Sequence, residues 1–243
     1  MGDRIIVALD YDKKEDAEEL VSALTGLISF YKVGFQLYTA VGPQILIDLK
    51  RKGLKVFLDL KLFDIPNTMA QTARVITGLA VDMFNVHLLA GKEALLRVKE
   101  TTRETAARQG LIPPKILGVT ILTSSQSEEW QDYGFSGQIP ELVFHLSQKA
   151  KEVGLDGVVA SPQDAKELKK RFGRDFLVVS PGIRTTACFS GSEDEKRDDQ
   201  KRTLSPAEAF AAGCDYLVVG RPITQAPSPR KACLEILRST ERP

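Results

Sequence analysis

Val56-Phe57-Leu58-Asp59-Leu60-Lys61-Leu62-Phe63-Asp64-Ile65-Pro66-Asn67-Thr68 carries an apolar, strand-like segment through Asp-x-Lys-x-x-Asp into a turn punctuated by proline. Side chains alternate along a strand, so Asp59 and Lys61 are expected on one face and Leu58 and Leu60 on the other. A carboxylate and an ammonium leaving a buried strand side by side are costly unless they are paired or used. A structural salt bridge at a strand end would explain an isolated Asp-x-Lys. The second acid and the Ile-Pro-Asn-Thr turn make that explanation less adequate here.

Outward from this stretch, short apolar runs rich in β-branched residues alternate with longer runs of helical period. The strands are expected at Arg4–Leu9, Phe30–Val33, Lys55–Leu60, Met83–His87, Lys115–Ile121, Gly157–Ala160, Phe176–Ser180 and Tyr216–Val219. The helices are expected at Lys13–Leu24, Thr39–Lys52, Asn67–Leu79, Lys92–Gln109, Ile139–Glu152, Gln163–Phe172, Pro206–Ala212 and Arg230–Leu237. Several strands are apolar on both faces, as in a parallel sheet covered by helices. Ser205-Pro206 with Glu208 marks a helix start, and Gly53, Gly110, Gly154 and Gly213 mark helix ends. Strand followed by helix, eight times over, predicts a (β/α)8 barrel. An open doubly wound sheet is the competitor, weakened because no G-x-G-x-x-G follows the first strand.

The 243 residues fit one such domain, and 43% hydrophobic residues supply an ample core. A formal net charge of +1 offers no field for nucleic acid or a membrane surface. Three cysteines, Cys188, Cys214 and Cys233, lack C-x-x-C spacing, which argues against a disulfide framework or a zinc site and fits a reducing compartment. With no signal-peptide core and no membrane-length apolar run, a soluble cytoplasmic protein is expected.

Barrels of this kind place their sites at the C-terminal ends of the strands. Polar groups collect there: Asp10, Lys32, Asp59 with Lys61 and Asp64, His87, Thr120 with Thr123 and Ser124, Ser180-Pro181-Gly182-Ile183-Arg184, and Gly220-Arg221-Pro222. Asp10, Lys32, Asp59, Lys61 and Asp64 form a mixed set in which each ammonium can lie between carboxylates and keep both signs charged in a dry site. Interleaved lysines would repel a divalent metal. On the far side of the mouth from Asp10 and Lys32, Gly182, Gly220 and Arg221 resemble a phosphate cradle of the kind built after strands seven and eight. His87 fits a structural role as well as a functional one, and Trp130, Tyr133 and Phe135 are expected to pack a loop. The polar segment at 183–203 breaks the strand–helix rhythm and reads as a binding loop or lid, with a solvated surface excursion as the alternative.

With these motifs together, and with Val119-Thr120-x-Leu122-Thr123-Ser124 and Asp199-Gln200, the chain resembles the orotidine 5′-phosphate decarboxylase family from Ile5 to about Thr224. Asp-x-Lys-x-x-Asp occurs in related barrels; the Ile-Pro-Asn-Thr extension narrows the match. The resemblance implies a single (β/α)8 TIM barrel of the ribulose-phosphate-binding type over residues 1–243, with a phosphate lid at about 183–203. It implies conversion of orotidine 5′-monophosphate to UMP and CO2, the last step of de novo pyrimidine synthesis, without cofactor or metal.

By the same resemblance, Lys61 donates a proton to C6 and Asp59 presses on the substrate carboxylate. Lys32 and Asp64 complete a tetrad, and Asp10 and Lys32 hold the ribose hydroxyls. Thr123 or Ser124 reads the base, Pro181 belongs to the substrate-binding set, and Arg184, Gln200, Gly220 and Arg221 bind the phosphate. A homodimer is implied, with Asp64 and Thr68 serving the neighbouring subunit's site. Two departures stand out: Phe63 occupies a position where many bacterial relatives carry His, and the segment between Arg184 and Gln200 is longer than usual. A metal-dependent sugar-phosphate lyase, such as a hexulose-phosphate synthase, and a non-catalytic nucleotide sensor are the competing readings.

Overall fold

The computed structural model of the chain describes residues 2–125, 127–135, 137–182 and 204–240. Eight strands form a closed barrel in sequence order: β1 Ile5–Ala8, β2 Phe30–Gly34, β3 Lys55–Leu62, β4 Met83–His87, β5 Lys115–Val119, β6 Gly157–Val159, β7 Leu177–Ser180 and β8 Tyr216–Val219. Every neighbouring pair is parallel, and β8 closes on β1 with Ile5 beside Leu217 and Val7 beside Val219. The expected barrel is therefore present, and the open sheet is not. The helices are α1 Lys14–Ala23, α2 Phe35–Val41, α3 Gln44–Arg51, α4 Pro66–Gly78, α5 Lys92–Gln109, α6 Ser127–Asp132, α7 Ile139–Val153, α8 Ala165–Phe172, α9 Pro206–Ala211, α10 Arg221–Thr224 and α11 Pro229–Ser239.

The single helix expected over Thr39–Lys52 is two helices, α2 and α3. Gly42 adopts φ 73°, a left-handed conformation that suits glycine, and Pro43 has no N–H to continue the ladder. The short helices α6 and α10 were not anticipated. Elsewhere the local signals hold. Pro66 opens α4 at a position where its missing N–H costs nothing. Ser205 and Glu208 cap α9 reciprocally, and Gly110 and Gly154 end α5 and α7 in the left-handed conformation.

Alternation along the strands divides the core in two. One set, including Val7, Tyr31, Leu58, Phe84, Ile116, Val158 and Val178, faces the helices. The other, Ile6, Ala8, Phe30, Phe57, Met83, Leu117, Val179 and Val218, fills the barrel interior. Each buried Val, Leu, Ile, Phe or Met among them contributes roughly 1.5–3 kcal/mol. Two residues further along β1 to β4, the interior positions change from apolar to polar: Asp10, Lys32, Asp59 and Asn85. The barrel is thus plugged below and charged above.

The N-terminal rim repeats one device three times. Asp82, Asp156 and Asp215 each precede an even-numbered strand and accept the backbone N–H of Val56, Ile116 and Val178 on the preceding strand, at 2.8, 2.9 and 2.7 Å. Each also pairs with a lysine: Lys50, Lys115 and Lys169, at 2.6, 2.8 and 2.6 Å. Among the described residues, no helix is long and apolar enough to cross a membrane. Cys214 and Cys233 are buried free thiols, and Cys188 lies outside the described residues.

Candidate active site

At the C-terminal mouth, four charged side chains from three adjacent strands form one chain of ion pairs. Lys32 Nζ donates to Asp10 Oδ1 at 2.9 Å and lies 3.4 Å from Asp59 Oδ2, while Lys61 Nζ donates to Asp59 Oδ1 at 2.7 Å. The expected alternation of sign runs through Asp10, Lys32, Asp59 and Lys61, but among the described residues only Lys32 lies between two carboxylates, and Lys61 meets Asp59 alone. Lys32, only 9% exposed, is the buried hub; Asp10 sits at the wetter edge. Burial opposes ionisation of Asp59, but the charges of Lys32 and Lys61 and the hydrogen bonds from Lys61 and Asn85 outweigh it, so its carboxyl lies below the usual carboxylate range.

Asp59 and Lys61 meet through a bulge, not through regular alternation. In the β3–β4 pairing, Leu58 stands beside Phe84 and Leu62 beside Val86, so Asp59, Leu60 and Lys61 all face the single residue Asn85. Within this bulge Lys61 takes φ 45°, a left-handed conformation that costs a non-glycine residue roughly 1–3 kcal/mol. Its N–H, which has lost its place in the ladder, donates to Asn85 Oδ1 at 2.8 Å. Asn85 Nδ2 donates to Asp59 Oδ1 at 2.7 Å. Asn85 was absent from the sequence-derived site, although its apolar neighbours and its spacing of two from His87 marked it as an interior polar residue.

Asp64 stands apart from this network. It is exposed, its Oδ1 accepts the Ile65 N–H at 2.6 Å, and among the described residues no ion pair joins it to Lys32 or Lys61. Thr68, in the first turn of α4, is also exposed. Apolar side chains are uncovered beside them in the turn, Phe63 at 61% and Ile65 at 66% exposed, and Phe35, whose ring centroid lies 5.8 Å from Lys61 Nζ, is 58% exposed. Phe63 stacks on His87 with ring centroids 5.3 Å apart. His87 Nδ1 accepts the Leu89 N–H at 3.3 Å, which places its proton on Nε2 in the neutral form. Burial, then the charge of Lys61, lowers the His87 pKa.

Two residues expected at the rim point elsewhere. The buried Thr120 hydroxyl donates to Val159 O at 3.0 Å, and the buried Ser180 hydroxyl lies 3.2 Å from Cys214 Sγ. Both fall on the helix-facing side of their strands, where a buried hydroxyl must find a local partner. Thr123 and Ser124 lie just beyond β5, Thr123 buried and Ser124 partly so. Pro181 and Gly182 follow β7 and are partly exposed. Arg184, Gln200 and the expected lid at 183–203 lie outside the described residues.

Gly220 and Arg221 begin α10 directly after β8. A methyl group on Gly220 would lie 3.6 Å from Asp10 Oδ2, so this part of the expected cradle adjoins Asp10 rather than sitting across the mouth from it. Closure of β8 on β1 makes β8, β1, β2, β3 and β4 one contiguous polar arc. Trp130 and Phe135 pack edge-to-face at 5.1 Å, as a loop-packing role requires, while Tyr133 is exposed. Among the described residues, no group of three His, Cys, Asp or Glu side chains is placed to hold a metal ion.

The profile of the family described as orotidine 5′-phosphate decarboxylase / HUMPS matches residues 3–236. The orotidine 5′-phosphate decarboxylase of Carboxydothermus hydrogenoformans is 45% identical over 241 residues, covering 99% of this chain and 97% of that one. The enzyme of the same name from Nostoc sp. is 43% identical over 232 residues, covering 95% and 94%. The crystal structure of orotidine 5′-phosphate decarboxylase from Lactobacillus acidophilus superposes with a TM-score of 0.83 at 33% identity, covering 99% of this chain and all of that one. Matches of this length and identity, on a barrel with this charged mouth, mean that the chain belongs to the orotidine 5′-phosphate decarboxylase / HUMPS family.

Proposed function

We propose that this chain is a carboxy-lyase that converts orotidine 5′-monophosphate to UMP and CO2 in pyrimidine biosynthesis. The observation that carries the reading is the Lys61–Asp59 pair, an ammonium 2.7 Å from a carboxylate held ionised by a second lysine. The C6–CO2⁻ bond breaks with its electron pair left on C6, CO2 departs, and Lys61 Nζ delivers a proton to that carbon. The neutral amine then regains a proton from solvent. An ammonium fixed beforehand needs no reorganisation as negative charge develops, which is where preorganised electrostatics contribute most.

Asp59 places negative charge against the substrate carboxylate, and that stress is relieved as CO2 leaves. Asp10 and Lys32 bind ribose hydroxyls, Thr123 or Ser124 the pyrimidine edge, and Pro181, Arg184, Gln200, Gly220 and Arg221 the phosphate region. Contacts remote from C6 supply binding energy for assembling the site. The enzyme works as a cytoplasmic homodimer in which Asp64 and Thr68 complete the partner's site; the exposure of Asp64 and of Phe35, Phe63 and Ile65 supports this arrangement.

Lys32 and Lys61 lie against the two oxygens of Asp59, which disfavours a cation there. The test is a decarboxylation assay followed by ultraviolet absorbance, with and without EDTA. UMP should form at the same rate in both, and Lys61→Ala should abolish turnover while leaving UMP binding in place. A requirement for added metal, or turnover of a ketose phosphate instead, overturns the reading.

A further inference from the structure

Asn85 is 1% exposed and sits where β3 and β4 fall out of register. Opposite it, β3 supplies three residues, two of them ionised. A backbone bulge of this size leaves N–H groups without ladder partners, and a left-handed lysine is held only if its surroundings determine it. Asn85 meets both needs with one carboxamide. Its oxygen takes the Lys61 N–H at 2.8 Å, and its nitrogen gives a hydrogen to Asp59 Oδ1 at 2.7 Å, the same oxygen that receives Lys61 Nζ. Amide geometry fixes these two contacts relative to each other. The Lys61 main chain and the Asp59 carboxylate are thereby tied to a common rigid plane, while Asp59 Oδ2 faces Lys32.

We propose that Asn85 is a positioning residue for the reaction: by clamping the bulged Lys61 backbone and the Asp59 carboxylate together, it aims the proton-donating ammonium. This rests on the decarboxylase reading above. Aspartate has the same shape and can still accept the Lys61 N–H, but when ionised it cannot donate to Asp59 and repels it. Leucine or alanine supplies neither contact, and the Lys61 N–H is then left without its acceptor, a loss that favours relaxation of the bulge.

The test compares wild type with Asn85→Ala and Asn85→Asp, measuring kcat, KM, UMP affinity and melting temperature. Asn85→Ala should lower kcat by about 10²-fold, the cost typical of a misplacement near 1 Å, with KM and UMP affinity within about threefold of wild type. The charged residues bonded to this side chain are Asp59 and Lys61 on β3; Lys32 on β2 pairs with the other oxygen of Asp59, His87 stands two residues further along β4, and β5 presents Leu117 beside it. In Asn85→Asp, kcat should rise as pH falls through the carboxylate range, because a protonated Asp side chain regains the donor. Wild type should show no such rise.

A purely structural role would lower melting temperature and leave kcat and its pH profile parallel to wild type, and that result overturns the proposal. So does a loss of kcat matched by an equal loss of UMP binding. Hydrogen exchange at the Lys61 amide in the wild-type chain, which needs no variant, should be slow; exchange as fast as in an open loop also overturns it. Absence of decarboxylation in the wild-type chain would instead defeat the functional reading, leaving the amide measurement to report on the clamp alone.

Discussion

A methyl group on Gly34 would lie 2.8 Å from Lys32 Nζ, so the ammonium folds back over the end of its own strand. The same position would be 3.5 Å from Asp10 Oδ1. Gly34 has φ −103° and ψ −170°, which any residue adopts, so the role of glycine here is to leave the space above the Cα to the Lys32 ammonium. Lys32 reaches both Asp10 and Asp59 because nothing occupies that space.

Gly34→Ala should therefore leave the fold intact and disturb the charge network. The Lys32 ammonium must shift by several tenths of an ångström or leave one of its carboxylates. A fall in kcat/KM of about tenfold to a hundredfold is expected, in line with the sensitivity of catalytic groups to small misplacements. Melting temperature should change little. Steady-state kinetics with a thermal melt separates the two, and an unchanged kcat/KM would count against Lys32 as the hub.

The barrel itself was legible because a parallel sheet buried on both faces writes apolar runs, and its helices write a different period. The charged network at the mouth was legible where its members stood at strand ends: Asp10, Lys32, Asp59 and Lys61. Counting alternation from the interior residues Leu117 and Val179 would also have turned Thr120 and Ser180 toward the helices. The bulge was not legible, because it arises from the register of two strands and not from β3 alone. Asn85 was missed for the same reason, since its function exists only opposite that bulge. The break between α2 and α3 was written in Gly42-Pro43, but the surrounding apolar period ran through it.

His87 should make the fold sensitive to mild acid. Burial and the nearby Lys61 charge favour its neutral form, so its folded pKa lies below the unfolded value of about 6.5. The unfolded chain then binds the proton more readily, and stability falls as pH drops below about 6.5 toward the folded value. Above that range the group contributes no pH dependence. Asp59, also lowered, behaves differently: its stabilisation is fully present above about pH 4 and is lost only in stronger acid. Between pH 7.5 and 5.5, wild type should lose more melting temperature than His87→Gln, while Asp59→Asn should parallel wild type. Equal losses in wild type and His87→Gln would mean that the stacking with Phe63, not the charge, sets the role of His87.

If Asp64 completes the partner's site, two inactive variants should rescue each other. Lys61→Ala retains Asp64, and Asp64→Ala retains Lys61. A mixed dimer then contains one site with Lys61 from one protomer and Asp64 from the other. Each purified variant should be inactive, and mixing after brief dissociation should restore turnover in proportion to the mixed dimer formed. No recovery, with mixed dimers demonstrated by mass spectrometry, would place Asp64 outside the shared site.

The acidic triplet on the opposite rim should govern stability without touching chemistry. Asp156 Oδ2 accepts the Ile116 N–H at 2.9 Å, and Lys115 pairs with its other oxygen at 2.8 Å. The lysine is more than half exposed, so its ion pair adds little. The bond to the backbone is the larger contribution, because removing the carboxylate strips a half-buried strand N–H of its acceptor. Asp156→Ala should destabilise by about 1–3 kcal/mol, and Asp156→Asn by less, since its carbonyl can still accept. Lys115→Ala should stay within about 0.5 kcal/mol of wild type. Denaturant unfolding of the three variants gives the ranking, and kcat/KM should be unchanged in all of them, since the barrel interior separates this rim from Lys61. A larger loss from Lys115→Ala than from Asp156→Ala would reverse the assignment and make the ion pair the stabilising element.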